Sequence, residues 1–207
     1  MVRHYPALII GVLIALYWAR VFQLLRKARR KVGRFANIIP GEIVGRITRT
    51  IWFPVVGLWI VLPILGGFGI EGYWLMTPLF NESWMQWIAV AIAVIAWALT
   101  LECWRNMGKS WRIGIDPAEK TKLIVTGAYS YIRHPIYALS SVLMLASAAA
   151  WPTPAMIALA TVHLILLQIE ARREEIHLIR VHGQIYKDYC RKTGGFFPKM
   201  LGPKSPN

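Results

Sequence analysis

Three apolar runs, at residues 5–25, 51–70 and 84–103, come close to the ~20 residues that a helix needs to cross the hydrocarbon of a bilayer. Two shorter runs, 136–151 and 153–169, are separated by Trp151-Pro152-Thr153-Pro154, whose prolines argue against one continuous helix and predict a tight hairpin. At ~1.5 Å per residue each arm is short for a full crossing, so it extends past its apolar part or sits where the bilayer is thinned. The pattern predicts an all-α integral membrane protein with five transmembrane helices, the last two forming the hairpin. Between the runs lie a basic connector, 26–50, broken at Pro40-Gly41, and a polar connector, 105–133. The last run continues without a breaker through 170–188. Residues 1–104 therefore read as a three-span membrane scaffold, and 105–207 as the half that holds the polar residues able to do chemistry.

The composition agrees: 56% of the 207 residues are hydrophobic and 16% charged. A net charge of +14 would raise the question of nucleic acid in a soluble chain, but here the basic residues divide by side. Arg26, Lys27, Arg29, Arg30, Lys31, Arg34, Arg46 and Arg49 lie between the first two runs, and none lies between the second and third. Arg105, Lys109, Arg112, Lys120, Lys122 and Arg133 lie between the third and fourth, and the tail is basic again. The positive-inside rule then puts the amino terminus outside and the carboxyl terminus in the cytoplasm. The surplus charge reads as topology and affinity for anionic headgroups, not as a nucleic-acid surface. The first run is flanked by charge on its far side and has no A-x-A-like site after it, so it is expected to be retained. Cys103 and Cys190 fall on the reducing side, which predicts no disulfide, and no His/Cys spacing suggests a metal site.

Candidate chemistry begins at Thr126-Gly127-Ala128-Tyr129-Ser130-Tyr131-Ile132-Arg133-His134-Pro135-Ile136-Tyr137, immediately before the fourth apolar run. Pro135 suits a first helical turn, because its missing N–H would be unpaired there in any case. Arg133 and His134 then sit at a helix amino terminus, whose partial positive charge and free N–H groups, with the guanidinium, favour an anion. The same residues also suit an interfacial anchor, with Tyr129, Tyr131 and Tyr137 as an aromatic belt and Arg133 reaching to phosphates. Beyond the fifth run, Glu170, Glu174 and His177 share one helical face, and Ala171, Glu175, Leu178 and His182 another. Carboxylates at the mouth of a membrane helix need cations or water, and Arg172, Arg173 and Arg133 are available. An ordinary solvent-facing helix extension would carry the same residues. Within the fifth run, His163 is expected to make an interhelical hydrogen bond.

Two segments together resemble the isoprenylcysteine carboxyl methyltransferase family, membrane enzymes related to the phospholipid methyltransferases. LIVTGAYSYIRHPIY (123–137) is similar to that family's L-V-T-x-G-x-Y-x-x-x-R-H-P-x-Y, and EEIHLIRVHGQIYKDY (174–189) to its E-E-x-x-L-x-x-x-x-G-x-x-Y-x-x-Y. Phe197-Pro198 follows where the family also ends on an apolar residue and proline. The resemblance implies a pocket for S-adenosylmethionine between the polar connector and the last helix. Thr121, Lys122, Leu123 and Ile124 would line the cofactor through backbone contacts, and Tyr129, His134, Pro135, Ile136 and Tyr137 would close around it. Glu174 would take its ammonium or ribose side. Arg133, Glu170 and Arg173 are the residues expected to act on the acceptor. Two positions depart from the family: Ala128 stands where bacterial members often have proline, and Glu170 where eukaryotic members have an Arg one turn before the glutamate. The second departure argues against the same acceptor, or moves the role to Arg173.

Methyl transfer from a sulfonium is a direct displacement, so the protein has mainly to align, desolvate and admit the acceptor. A carboxylate acceptor needs no general base, whereas an amine or thiol does, and Glu170, Glu174, Glu175 or His177 could serve. The expected partners are a lipophilic acceptor and membrane lipids, with no nucleic acid. Alternatives from other classes are a phospholipid amine or thiol methyltransferase, an NADPH-dependent reductase of the sterol-reductase type, and a non-catalytic membrane component.

Overall fold

The computed structural model describes residues 4–32, 42–70, 73–108 and 123–199. Six α-helices account for most of them: α1 (Tyr5–Val32), α2 (Ile43–Gly67), α3 (Ser83–Met107), α4 (Pro135–Ala150), α5 (Pro154–His182) and α6 (Gln184–Lys192). Short 3₁₀ turns at Trp74–Met76 and Gly127–Ser130 complete the described elements, and no strand occurs among them. Four helices, α1, α2, α3 and α5, are long and apolar enough to cross a membrane, and α4 is a shorter apolar helix of 16 residues. The fold is thus the all-α membrane architecture that the hydropathy pattern predicts, with the fourth of the five apolar runs standing as the short arm of a hairpin.

The helices close into a ring in the order α1, α2, α5, α4, α3, with α3 returning to α1. Packing in lipid gains nothing from hydrophobic transfer, so close approach of small residues has to carry it. Gly66 on α2 shows how: a Cβ there would overlap the indole of Trp151, which is fully buried at the hairpin turn. The hairpin forms where the prolines demand it. Thr153 caps α5, its Oγ1 accepting the Met156 N–H at 3.2 Å, and Pro154 and Pro135 occupy the first turns of their helices. Pro54 and Pro63 lie inside α2, which continues through both. His163 is fully buried and bonds across the hairpin to Ser140 at 3.0 Å, the interhelical role expected of it.

One expectation about the last helix is corrected. α5 does not run unbroken through 188; it stops at His182, because Gly183 adopts φ +58° and turns the chain into α6. That turn brings α6 and the segment after it back beneath the start of α4.

Candidate active site

The local structure around the motif is set by a pairing that joins two distant parts of the chain. The Gly194 N–H donates to the Tyr131 carbonyl at 3.1 Å, the Arg133 N–H to Gly194 at 2.8 Å and the His134 N–H to Gly195 at 3.1 Å, forming a parallel bridge between Ile132 and Gly194. Side chains reinforce it: the Tyr189 hydroxyl donates to the Tyr129 carbonyl, and Arg133 Nη1 to the carbonyls of Thr193 and Cys190. Arg133 Nε is 2.7 Å from Glu175 Oε1, and His134 Nε2 is 3.1 Å from the same oxygen. On the other side of the ring, His134 Nδ1 lies 3.7 Å from Glu174 Oε2. The imidazole is therefore held between adjacent carboxylates of α5, buried, with Tyr137 stacked parallel to it at 5.4 Å and Phe196 tilted against both rings.

These contacts shift the groups nearby. Partial burial works against the Arg133 charge, but the hydrogen bond and charge of Glu175 outweigh it and raise its pKa. Burial pushes the Tyr189 hydroxyl up to about 12, against the opposing pull of Arg133, and raises the Cys190 thiol for the same reason. Tyr129, still more buried, is raised further.

Above the clasp, a cavity of about 140 Å³ opens between the motif, α5 and the first two helices. That is about ten times the room one water requires. Tyr129, Arg133, His134, Pro135, Ile136 and Tyr137 line it from the motif, and Glu170 and Glu174 from α5. Leu123 and Ile124 are half-buried and are not among the lining residues, and Thr121 and Lys122 lie outside the described residues, as do residues 109–120 of the polar connector. Arg173 stands just behind the wall: its Nη1 is 2.8 Å from both oxygens of Glu170, and its Nη2 is 3.3 Å from Glu42. Glu170 also accepts from the Thr48 hydroxyl at 2.8 Å, which ties α5 to α2. Glu170 and Glu174, one turn apart, both look into the cavity, as their shared helical face requires.

Sequence reasoning left out the opposite wall. Tyr17, Trp18 and Val21 from α1, Thr48, Arg49 and Trp52 from α2, and Trp104 and Met107 from α3 line the cavity too. From sequence, Arg49 counts only as a topological charge. The available signal was α2 starting right after Pro40-Gly41, which puts Arg49 in its second turn, one turn below Trp52. Glu175 was considered only as a possible base, and its place on a different face from Glu174 hid its part in holding the motif; a ring sitting between the two faces reaches both.

The model of the phospholipid methyltransferase family matches residues 84–185, which contain α3, the motif, the hairpin and both site glutamates. The match covers just under half of the chain and is a likeness to that family. That family includes the isoprenylcysteine carboxyl methyltransferases, so the resemblance read from the two motifs fits it. The chain is also similar to the nickel-cobalt-cadmium resistance protein NccN of Alcaligenes xylosoxydans xylosoxydans, 25% identical over 151 residues, which are 72% of this chain and 64% of that protein. The chain thus spans less than two thirds of that relative's length. The matched segment supplies the motif and α5 walls of the cavity, and α1 and α2, which precede the match, supply the opposite wall together with α3.

Proposed function

We propose that the chain is an S-adenosylmethionine-dependent integral membrane methyltransferase that methylates a lipophilic acceptor entering from the bilayer, in the manner of isoprenylcysteine carboxyl methyltransferases. The observation that carries this reading is the convergence of Tyr129, His134, Pro135, Ile136, Tyr137 and Glu174 on one cavity within a segment similar to a methyltransferase family. Their chemistry fits the cofactor. Glu174 offers a carboxylate to an ammonium or to ribose hydroxyls, the positive end of α4 suits a carboxylate, and tyrosine rings suit a sulfonium. When bound, the cofactor supplies an electrophilic methyl group. The remaining work falls to the chain: His134, fixed between Glu174 and Glu175, orders the motif, and the buried Trp104 with Trp52 screens the cavity from water. Arg133 acts in this scheme by holding the motif to α5 and to the 193–195 segment.

For the acceptor, Glu170 is the informative residue. Both its oxygens are engaged by Arg173 and one by Thr48, which suits a positioning role better than that of a base, and a carboxylate acceptor needs no base. An amine or thiol acceptor is the second reading, favoured by the fact that Glu170 faces the cavity at all. In the bilayer we place the amino terminus outside and the motifs on the cytoplasmic side, where the basic connectors lie. Residues 1–104 and 105–207 remain the natural division, with the first part contributing a wall of the site as well as support.

Calorimetry on the purified chain in detergent tests the core of this. Wild type is expected to bind S-adenosylmethionine, and Glu174→Gln to lose at least tenfold in affinity while keeping its melting temperature. A Glu174→Gln variant that binds as tightly as wild type removes Glu174 from the site.

A further inference from the structure

Arg49 is a charge for which the scheme above has no use. It is 8% exposed, it lines the cavity, and its Nε has no hydrogen-bond partner. Its guanidinium lies 5.1 Å from the centre of the Trp52 ring, and that indole meets Trp18 edge-on at 5.0 Å. A guanidinium held among indoles on a membrane helix is costly unless an anion or water comes to it. The other cations around the cavity have their anions in the fold: Arg133 has Glu175, and Arg173 has Glu170 and Glu42. Glu170 lies within electrostatic range of Arg49, but its oxygens are already held by Arg173 and Thr48. Its contact with the Trp52 ring holds the guanidinium at the cavity wall while its Nε keeps a donor to spare.

We propose that Arg49 is the oxyanion receptor of the cavity, taking a carboxylate or phosphate of the ligand that fills its α2 side. The planar fork of donors matches such a group, and the adjacent Trp18 and Val21 give its hydrocarbon body an apolar surface. Arg49 thereby selects for an amphiphile with an anionic head. The methionyl carboxylate of the cofactor offers the same chemistry, so the test has to separate the two sources. The inference rests on the proposed function only for the identity of the cofactor.

The experiment measures binding by calorimetry to the full chain in detergent, using two pairs of probes that differ in one negative charge. One pair is S-adenosylmethionine and its decarboxylated analogue; the other is N-acetyl-S-farnesylcysteine and its carboxamide. Wild type is expected to prefer the anionic member of at least one pair by about 10- to 100-fold, the range of a hydrogen bond to a charged group. Arg49→Gln should erase that preference by weakening only the anionic member, and Arg49→Lys should keep part of it, as a point charge without the fork. The pair that responds names the source of the oxyanion. The proposal is overturned if wild type shows no preference in either pair, if Arg49→Gln retains the preference, or if it weakens anionic and neutral probes equally, which would make Arg49 a packing residue for Trp52. A wild type that binds neither adenosyl probe defeats the proposed function, while the farnesyl pair still tests Arg49.

Discussion

Replacing Glu175 by Gln should loosen the site without emptying it. Glu175 Oε1 receives Arg133 Nε at 2.7 Å and His134 Nε2 at 3.1 Å, and the Arg133 and Glu175 side chains are 15% and 28% exposed. Gln keeps the shape and one acceptor oxygen, so the variant removes the charge and leaves the geometry. Hydrogen bonds to charged groups contribute about 1.5–3 kcal/mol and neutral ones about 0.5–1.5 kcal/mol, so converting two of them costs about 2 kcal/mol. The Glu175 exposure puts this below the ~3–5 kcal/mol of a fully buried pair and above the ~1 kcal/mol ceiling of a surface one. For a chain of this length that corresponds to a fall of about 4–8 °C in melting temperature. Thermal unfolding in detergent should register it, and cofactor affinity should fall alongside, because His134 is no longer fixed. Arg133→Gln combined with Glu175→Gln should cost less than the sum of the two single changes by about 1 kcal/mol. A melting temperature within about 1 °C of wild type for Glu175→Gln, or an additive double variant, would refute the idea that this pair holds the motif.

Tags at Asn81 and Asn207 should report opposite sides of the membrane, the latter cytoplasmic; same-side labelling would overturn the five-span reading. Glu170→Arg should lower turnover on every acceptor and reduce membrane yield, since it sets a cation beside Arg173 and leaves the Thr48 hydroxyl without its acceptor; improved turnover on a prenylcysteine analogue would show that Glu170 instead repels the substrate. Gly66→Val should cut the melting temperature by several degrees, because its side chain meets the buried Trp151 indole; an unchanged value would mean that the hairpin turn yields easily.

The fold was legible where the physics is local and one-dimensional. Long apolar runs, the Trp151–Pro154 breaker and Pro135 at a helix start each act within a few residues, and each appears where its chemistry demands. The end of α5 was misread because Gly183 was weighed as part of a helical pattern, although a glycine free to take φ +58° is also the commonest way for a helix to stop. On the site, the motif side was readable because its residues are neighbours in sequence. Arg49 and Glu175 were not, since their meaning depends on which helices meet: Arg49 matters through the cavity that α1, α2 and α5 enclose, and Glu175 through a histidine 41 positions away. Phe196 gave a smaller lesson, being the residue tucked against His134 and Tyr137, while the Phe197 singled out by pattern is 82% exposed.

The bridge between Ile132 and Gly194 sets an order of events in biogenesis. Arg133 meets the Thr193 carbonyl across 60 positions of chain, with the whole α4–α5 hairpin in between. Closing so long a loop is entropically expensive until the hairpin has brought its two ends together, so the clasp forms last. A nascent chain can therefore insert every apolar helix and still carry an unclasped motif, its Arg133 and His134 N–H groups waiting for the carbonyls of Gly194 and Gly195. The membrane-embedded helices can be in place before the clasp, and the motif is fixed only once residues 194 and 195 have joined it.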